Sequence, residues 1–165
     1  MAKKAFWRMK NLLRNLNLNF KTRLRALKAY IWSILLYGCE TWTINKQMKQ
    51  KIEAVEMWFL RRMLRISWVE RVTNEEVLRR AGCARKIISE IRKRQLRFSG
   101  HVIRENKIEN LCLTGRINGN RGRGRPRKTF LMQFINEPEG LVTSNQIIHL
   151  ASNRGLWREM IANVT

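Results

Sequence analysis

Phosphoryl transfer, metal-dependent hydrolysis and nucleophilic catalysis each need particular side chains at particular spacings, and this sequence supplies few of them. All 12 acidic residues are Glu, and its 165 residues include no Asp. A two-metal site needs several carboxylates converging on a pair of cations. Glu75 and Glu76 stand side by side, but Thr73-Asn-Glu-Glu76 reads as a helix start in which both acids face the positive end of the helix dipole. Autonomous polymerase or nuclease chemistry is therefore not expected. His101 and His149 lie far apart, and Cys39, Cys83 and Cys112 contain no Cys-x-x-Cys spacing. Neither a zinc centre nor an activated thiol is indicated. We assign no catalytic residue, no metal ligand, no cofactor and no small-molecule substrate.

What the sequence holds in excess is cation. Lys and Arg number 34 against the 12 Glu, a formal net charge of +22 with a pI near 11.4. Such a surface attracts polyanions with strong salt dependence. RNA and/or DNA are the expected partners; an anionic membrane surface is the weaker candidate. The sharpest concentration is Arg121, Arg123, Arg125, Arg127 and Lys128, interleaved with Gly that lets a phosphate approach the backbone. Arg123-Gly124-Arg125-Pro126 resembles the core of an AT-hook, a segment laid in the A·T minor groove. Gly122 takes the place where an AT-hook usually has Pro, so phosphate contact without groove preference stays open. Arg61, Arg62 and Arg65 form a second cluster, and Arg92, Arg94 and Arg97, with Lys93, a third. Too few Glu exist to balance them, which points to a surface that tracks a phosphate backbone. Trp42, Trp58 and Trp68 lie among these cations, at the core rim or available to stack on unpaired bases.

The elements that must position these residues follow from apolar spacing. Phe6, Met9, Leu12, Leu13 and Leu16 predict a basic amphipathic helix over 4–17, suited to packing on the next helix or to a membrane surface. Asn17–Asn19 supplies a break and a cap. A second helix runs to about Tyr37 with Phe20, Leu24, Leu27, Ile31, Ile34 and Leu35 inward, and Gly38 follows where a left-handed residue is wanted. A third helix over 45–65 turns Met48, Ile52, Val55, Phe59 and Met63 inward. A short helix opens at Thr73 and stops near Gly82. A longer one over 84–104 buries Ile88, Ile91, Phe98 and Val102, with Gly100 interrupting its end. Short helices follow at 128–136 and 144–163, the latter with a capping pattern at Thr143–Gln146 and with Leu150, Trp157 and Ile161 buried. The expected fold is mostly α, a small helical bundle with an exposed Arg/Gly-rich loop. It divides into a basic helical body at 1–112, the loop at 113–128 and a C-terminal helical segment at 129–165. The N-terminus has no secretory pattern, no apolar run spans a bilayer, and the cysteines form no disulfide framework. An intracellular location, nucleus or cytoplasm, is expected.

Five motifs occur in order: Leu36-Tyr-Gly-Cys-Glu-Thr-Trp42, Glu56-Met-Trp58 with Arg61-Arg-Met-Leu-Arg-Ile-Ser-Trp68, Arg71-Val-Thr-Asn-Glu-Glu-Val77, Leu96-Arg-Phe-Ser-Gly-His-Val102 and Arg121-Gly-Arg-Gly-Arg-Pro-Arg127. Together they resemble the C-terminal region of reverse transcriptases from non-LTR (LINE-type) retrotransposons. Residues 36–128 carry the resemblance; the flanks, ending in Arg154-x-x-Trp157-Arg158, follow it more loosely. It implies a thumb-like body and C-terminal extension that grip template RNA, primer–template duplex and target DNA. The family's endonuclease and its Phe/Tyr-x-Asp-Asp palm have no counterpart in this sequence. The expected function is a non-catalytic nucleic-acid-binding fragment. The alternatives are a piece of an RNA-directed DNA polymerase or a degenerate element remnant without function.

Overall fold

The computed structural model describes residues 1–105, 107–114, 123–124, 130–131 and 144–164. Helix dominates and no strand occurs among them, in agreement with the expected mostly α class. The chain falls into two compact units: Met1–Cys39 with Asn45–Ile88, and Glu40–Ile44 with Ser89–Thr165. The division thus falls inside the segment 1–112, and residues 89–112 belong with the C-terminal helices.

In the first unit, α1 (Ala2–Arg8) and α2 (Lys10–Leu13) replace the single helix read over 4–17, with Met9 between them. Phe6 and Leu13 are buried, whereas Leu12 and Leu16 are exposed. The Phe6 ring meets Trp58 edge-on, at 5.4 Å between centroids, and Phe59 at 5.4 Å. Helix α3 (Phe20–Ala26) starts where Asn19 Oδ1 accepts a hydrogen bond from the Lys21 N–H, at 2.9 Å. It runs through a wider π-helical turn, Leu27–Trp32, into α4 (Ser33–Leu35). Leu27 and Ile31 are buried as predicted, but Ile34 is exposed while Trp32 and Leu36 are buried. A π turn takes more residues per turn than an α-helix, so the face that points inward shifts after it. Gly38 has φ +68°, the left-handed conformation expected there.

Helix α5 (Lys46–Met63) is capped by Asn45, whose Oδ1 accepts from the Met48 N–H at 2.8 Å. Ile52, Phe59 and Met63 are buried as predicted, joined by Met57, Leu60 and the carboxylate of Glu56, while Met48 is exposed. The inward surface is broader than one stripe because α5 packs twice: against Phe6, and in a core of Met57, Leu60, Ile66, Val77 and Ala81. Val77 and Ala81 come from α6 (Asn74–Ala81), which begins at the Thr73 hydroxyl and ends at Gly82 with φ +59°. Glu76 does not complete a reciprocal box; its carboxylate binds Arg79 and Arg80, each at 2.7 Å. Arg23, 5% exposed, is an unexpected interior cation. Its guanidinium donates to the carbonyls of Leu18 (3.1 Å), Leu13 (3.3 Å) and Met63 (2.8 Å), tying α2 and α3 to the end of α5.

The second unit is built on α7 (Ile87–Arg104) from Ser89 onward, α8 (Ile108–Thr114), α9 (Ser144–Ser152) and α10 (Arg154–Ala162). Asn153 divides the helix expected over 144–163, its Oδ1 accepting from the Gly155 and Leu156 N–H groups. Ile147, Ala151, Trp157 and Ile161 form a core with Leu96, Ile103, Leu131 and Val164. Phe98, expected inward, lies at the surface at 36% exposure; Gln95 and Ser99 are buried on that turn instead. Each donates internally: Gln95 Nε2 to the Trp42 carbonyl at 2.8 Å, and Ser99 Oγ to the Gln95 carbonyl at 2.7 Å. The helix continues through Gly100 because the absent side chain is occupied by the Trp157 indole. A Cβ at that position would collide with the ring. Trp157 Nε1 donates to the Leu96 carbonyl at 2.9 Å, which fixes the indole across α7. The capping pattern at Thr143 and most of the helix read over 128–136 lie outside the described residues.

Candidate nucleic-acid interface

The Gly100–Trp157 contact brings α7 and α10 close enough to leave a groove along their shared edge, about 570 Å³ in volume. Helix α7 contributes Lys93, Arg97, His101 and Arg104, spaced four, four and three residues apart and hence on one face. Helix α10 contributes Arg154 and Arg158, again four apart, and Trp157, Ile161 and Ala162 make the apolar floor. Among the described residues no carboxylate lines the groove. Arg104 Nη1 donates to the Ala151 carbonyl at 2.7 Å, which holds that guanidinium at the rim. Five guanidinium or ammonium groups around a concavity, with rows rising about 6 Å per four residues, can neutralise several phosphates of one strand without contacting a base edge.

The predicted residues are distributed unequally. Of Arg92, Arg94 and Arg97, only Arg97 lines this groove. Arg94 lies 3.4 Å from Glu90 on the same helix, and Arg92 is half-buried. The second cluster belongs to the first unit and splits three ways. Arg61 turns inward, its Nη2 donating to the Val72 carbonyl (2.8 Å) and Asn74 Oδ1 (2.9 Å). Arg62 lies over the rings of Trp7 and Trp58, at 5.8 and 5.5 Å. Arg65, in a left-handed conformation at φ +58°, donates to the Arg14 carbonyl at 3.0 Å. Arg121, Arg125, Arg127 and Lys128 lie outside the described residues; Arg123 is exposed, and Gly124 beside it has φ +128°.

Sequence reading placed Lys93 in the third cluster but did not assign His101, Arg104, Arg154 or Arg158 to a site. The four-residue spacing of Lys93, Arg97 and His101 was a usable signal, as was that of Arg154 and Arg158 around Trp157. Away from the groove, hydrogen bonds from Arg79 and Arg80 hold the Glu76 carboxyl down at about 2, and Lys107 lowers that of Glu105. Among the described residues no three His, Cys, Asp or Glu side chains gather in a way that could hold a metal ion. No described helix is long and apolar enough to cross a membrane.

No protein-family model matches the chain, and no solved structure matches it. A Caenorhabditis elegans protein named as an uncharacterized transposon-derived protein is 29% identical over 87 residues. The chain's likeness is to a transposon-derived protein. The match covers 51% of this chain and 31% of the relative, so the chain spans about a third of that protein's length.

Proposed function

We propose that the chain is a non-catalytic nucleic-acid-binding fragment, derived from the C-terminal region of a non-LTR retrotransposon reverse transcriptase. It would grip template RNA or target DNA through phosphate contacts. The observation that carries the binding is the α7–α10 groove, a concavity whose described ionisable lining is entirely basic. With 34 cations against 12 carboxylates most of the chain's positive charge has no internal counter-charge, no carboxylate lines this groove among the described residues, and a phosphate backbone would supply one. Origin is supported by the five ordered motifs and by the transposon-derived relative. Contacts of this kind give affinity and orientation with little sequence readout.

Binding of labelled RNA and DNA duplexes, measured against salt concentration, tests the reading. Affinity falls steeply as salt rises. The double variant Arg97→Gln/Arg158→Gln weakens binding across unrelated sequences. It also lowers the log–log salt slope by about 2, roughly one unit for each phosphate no longer neutralised. A flat salt profile, or a slope untouched by the double variant, removes the groove from the function and favours a remnant that no longer binds. In a primer-extension assay with template, primer, nucleotides and magnesium, the chain alone yields no product.

A further inference from the structure

The first unit carries a second concavity that phosphate neutralisation alone does not explain. It lies between α5 and the segment 66–74, about 1060 Å³ in volume, and four guanidiniums line it against one carboxylate, Glu53. Arg61 is spent on the backbone of the segment, and Arg85 lies 3.5 Å from Glu53. Arg62 and Arg71 are paired with no carboxylate among the described residues. Arg62 is instead held over two indole faces, which fixes its position without cancelling its charge.

Trp68 stands at the edge of this groove and is 94% exposed. A single exposed aromatic is ordinary; one mounted on a locked turn is not. Ser67 N–H donates to Glu70 Oε1 at 2.6 Å and Val69 N–H to Ser67 Oγ at 3.4 Å, closing a 3-10 turn over Trp68–Glu70. Arg71 ends that turn in a left-handed conformation at φ +46°, which is unfavourable for a residue with a Cβ and sets where its guanidinium begins. The backbone is therefore fixed while the indole covers nothing. A cationic groove bearing an uncovered aromatic on a hydrogen-bonded turn suits a strand whose bases have free faces. In a duplex each base face is already covered by its neighbours, so a duplex offers phosphates to Arg62 and Arg71 but nothing to Trp68.

We infer that this groove receives an unpaired nucleic-acid strand, one base stacking on Trp68 while adjacent phosphates lie against Arg62 and Arg71. This rests on the polyanion reading above and adds to it a substrate class, the single strand.

The test uses the whole chain with two labelled probes, a short oligodeoxythymidylate and a blunt mixed-sequence DNA duplex of equal length. Trp68→Ala weakens the single strand roughly tenfold, the scale of one base stack removed. The duplex changes by less than about twofold, and Trp68→Phe keeps most of the single-strand affinity because an aromatic face remains. Because Trp68 is solvent-exposed, circular dichroism of both variants matches the unaltered chain. If the chain binds both probes and Trp68→Ala alters neither, or weakens both equally, the single-strand site is wrong while nucleic-acid binding stands. If the unaltered chain binds neither probe, both readings fall. Sedimentation showing self-association that Trp68→Ala abolishes, with oligonucleotide affinity unchanged, assigns the indole to a second copy and overturns the proposal.

Discussion

Glu56 is a largely buried carboxylate, at 4% exposure, in the middle of α5. One oxygen accepts the Lys86 N–H at 3.0 Å, serving the start of α7, and the other has no hydrogen-bond partner. Burial raises its pKa above the ordinary 4.5; backbone N–H groups of Lys86 and Ile87, then Arg85 and Lys28, pull the other way without overcoming it. A raised carboxyl pKa means that the folded state holds its proton longer than the unfolded one. Its contribution is fully present below about 4.5 and is lost as pH rises through the folded value. Glu76 behaves oppositely: held at about 2, it helps above about 4.5 and loses that help as pH falls from there through about 2. The two windows are separate. Glu56→Gln keeps an acceptor for Lys86 and removes the buried charge. Its melting temperature relative to the unaltered chain therefore climbs between pH 4 and pH 8. A difference that is flat, or that narrows with rising pH, contradicts the assignment.

At the scale of elements, the contact between α7 and α10 reverses a general rule. Gly in a helix interior is normally the weak choice, and Ala there stabilises by up to about 1 kcal/mol. At Gly100 the added methyl would strike the Trp157 ring, whose own N–H is committed to the Leu96 carbonyl. Gly100→Ala is therefore expected to destabilise by about 1–3 kcal/mol, the usual cost of overpacking, as read from urea unfolding. A stabilised variant would show that the indole can move aside. The sequence made some of this architecture legible and not the rest. The caps at Asn19 and Thr73 and the left-handed Gly38 and Gly82 follow from local chemistry, and local chemistry is what a sequence displays. The inward face of α7 was misread at Phe98 because Gln95 and Ser99 look like surface residues until their hydrogen-bond partners are known. The shift after Leu27–Trp32 was missed because a π turn changes the helical period. The groove was hidden for a different reason. Arg97 and Arg158 are brought together by packing across a long stretch of chain, and spacing within one helix says nothing about which helix it meets. The inward turn of Arg61 likewise depends on the Val72 carbonyl, eleven residues away.

For the molecule as a whole, the charge of +22 opposes compactness, since like charges on a folded surface repel more strongly than on an expanded chain. Internal pairs such as Arg79–Glu76 and Lys107–Glu105 are solvent-exposed and give little back. Repulsion therefore outweighs attraction. The melting temperature should rise as sodium chloride is increased from very low to physiological concentration, measured by differential scanning calorimetry. A fall would mean that ion pairs, rather than excess charge, govern stability. The groove between α7 and α10 carries this tension in its most concentrated form. Its rim residues crowd one sign of charge onto two helices that pack around the Trp157 indole, so repulsion there opposes that packing. If the proposed polyanion binds there it offsets that repulsion, and by linkage whatever binds the folded form also stabilises it.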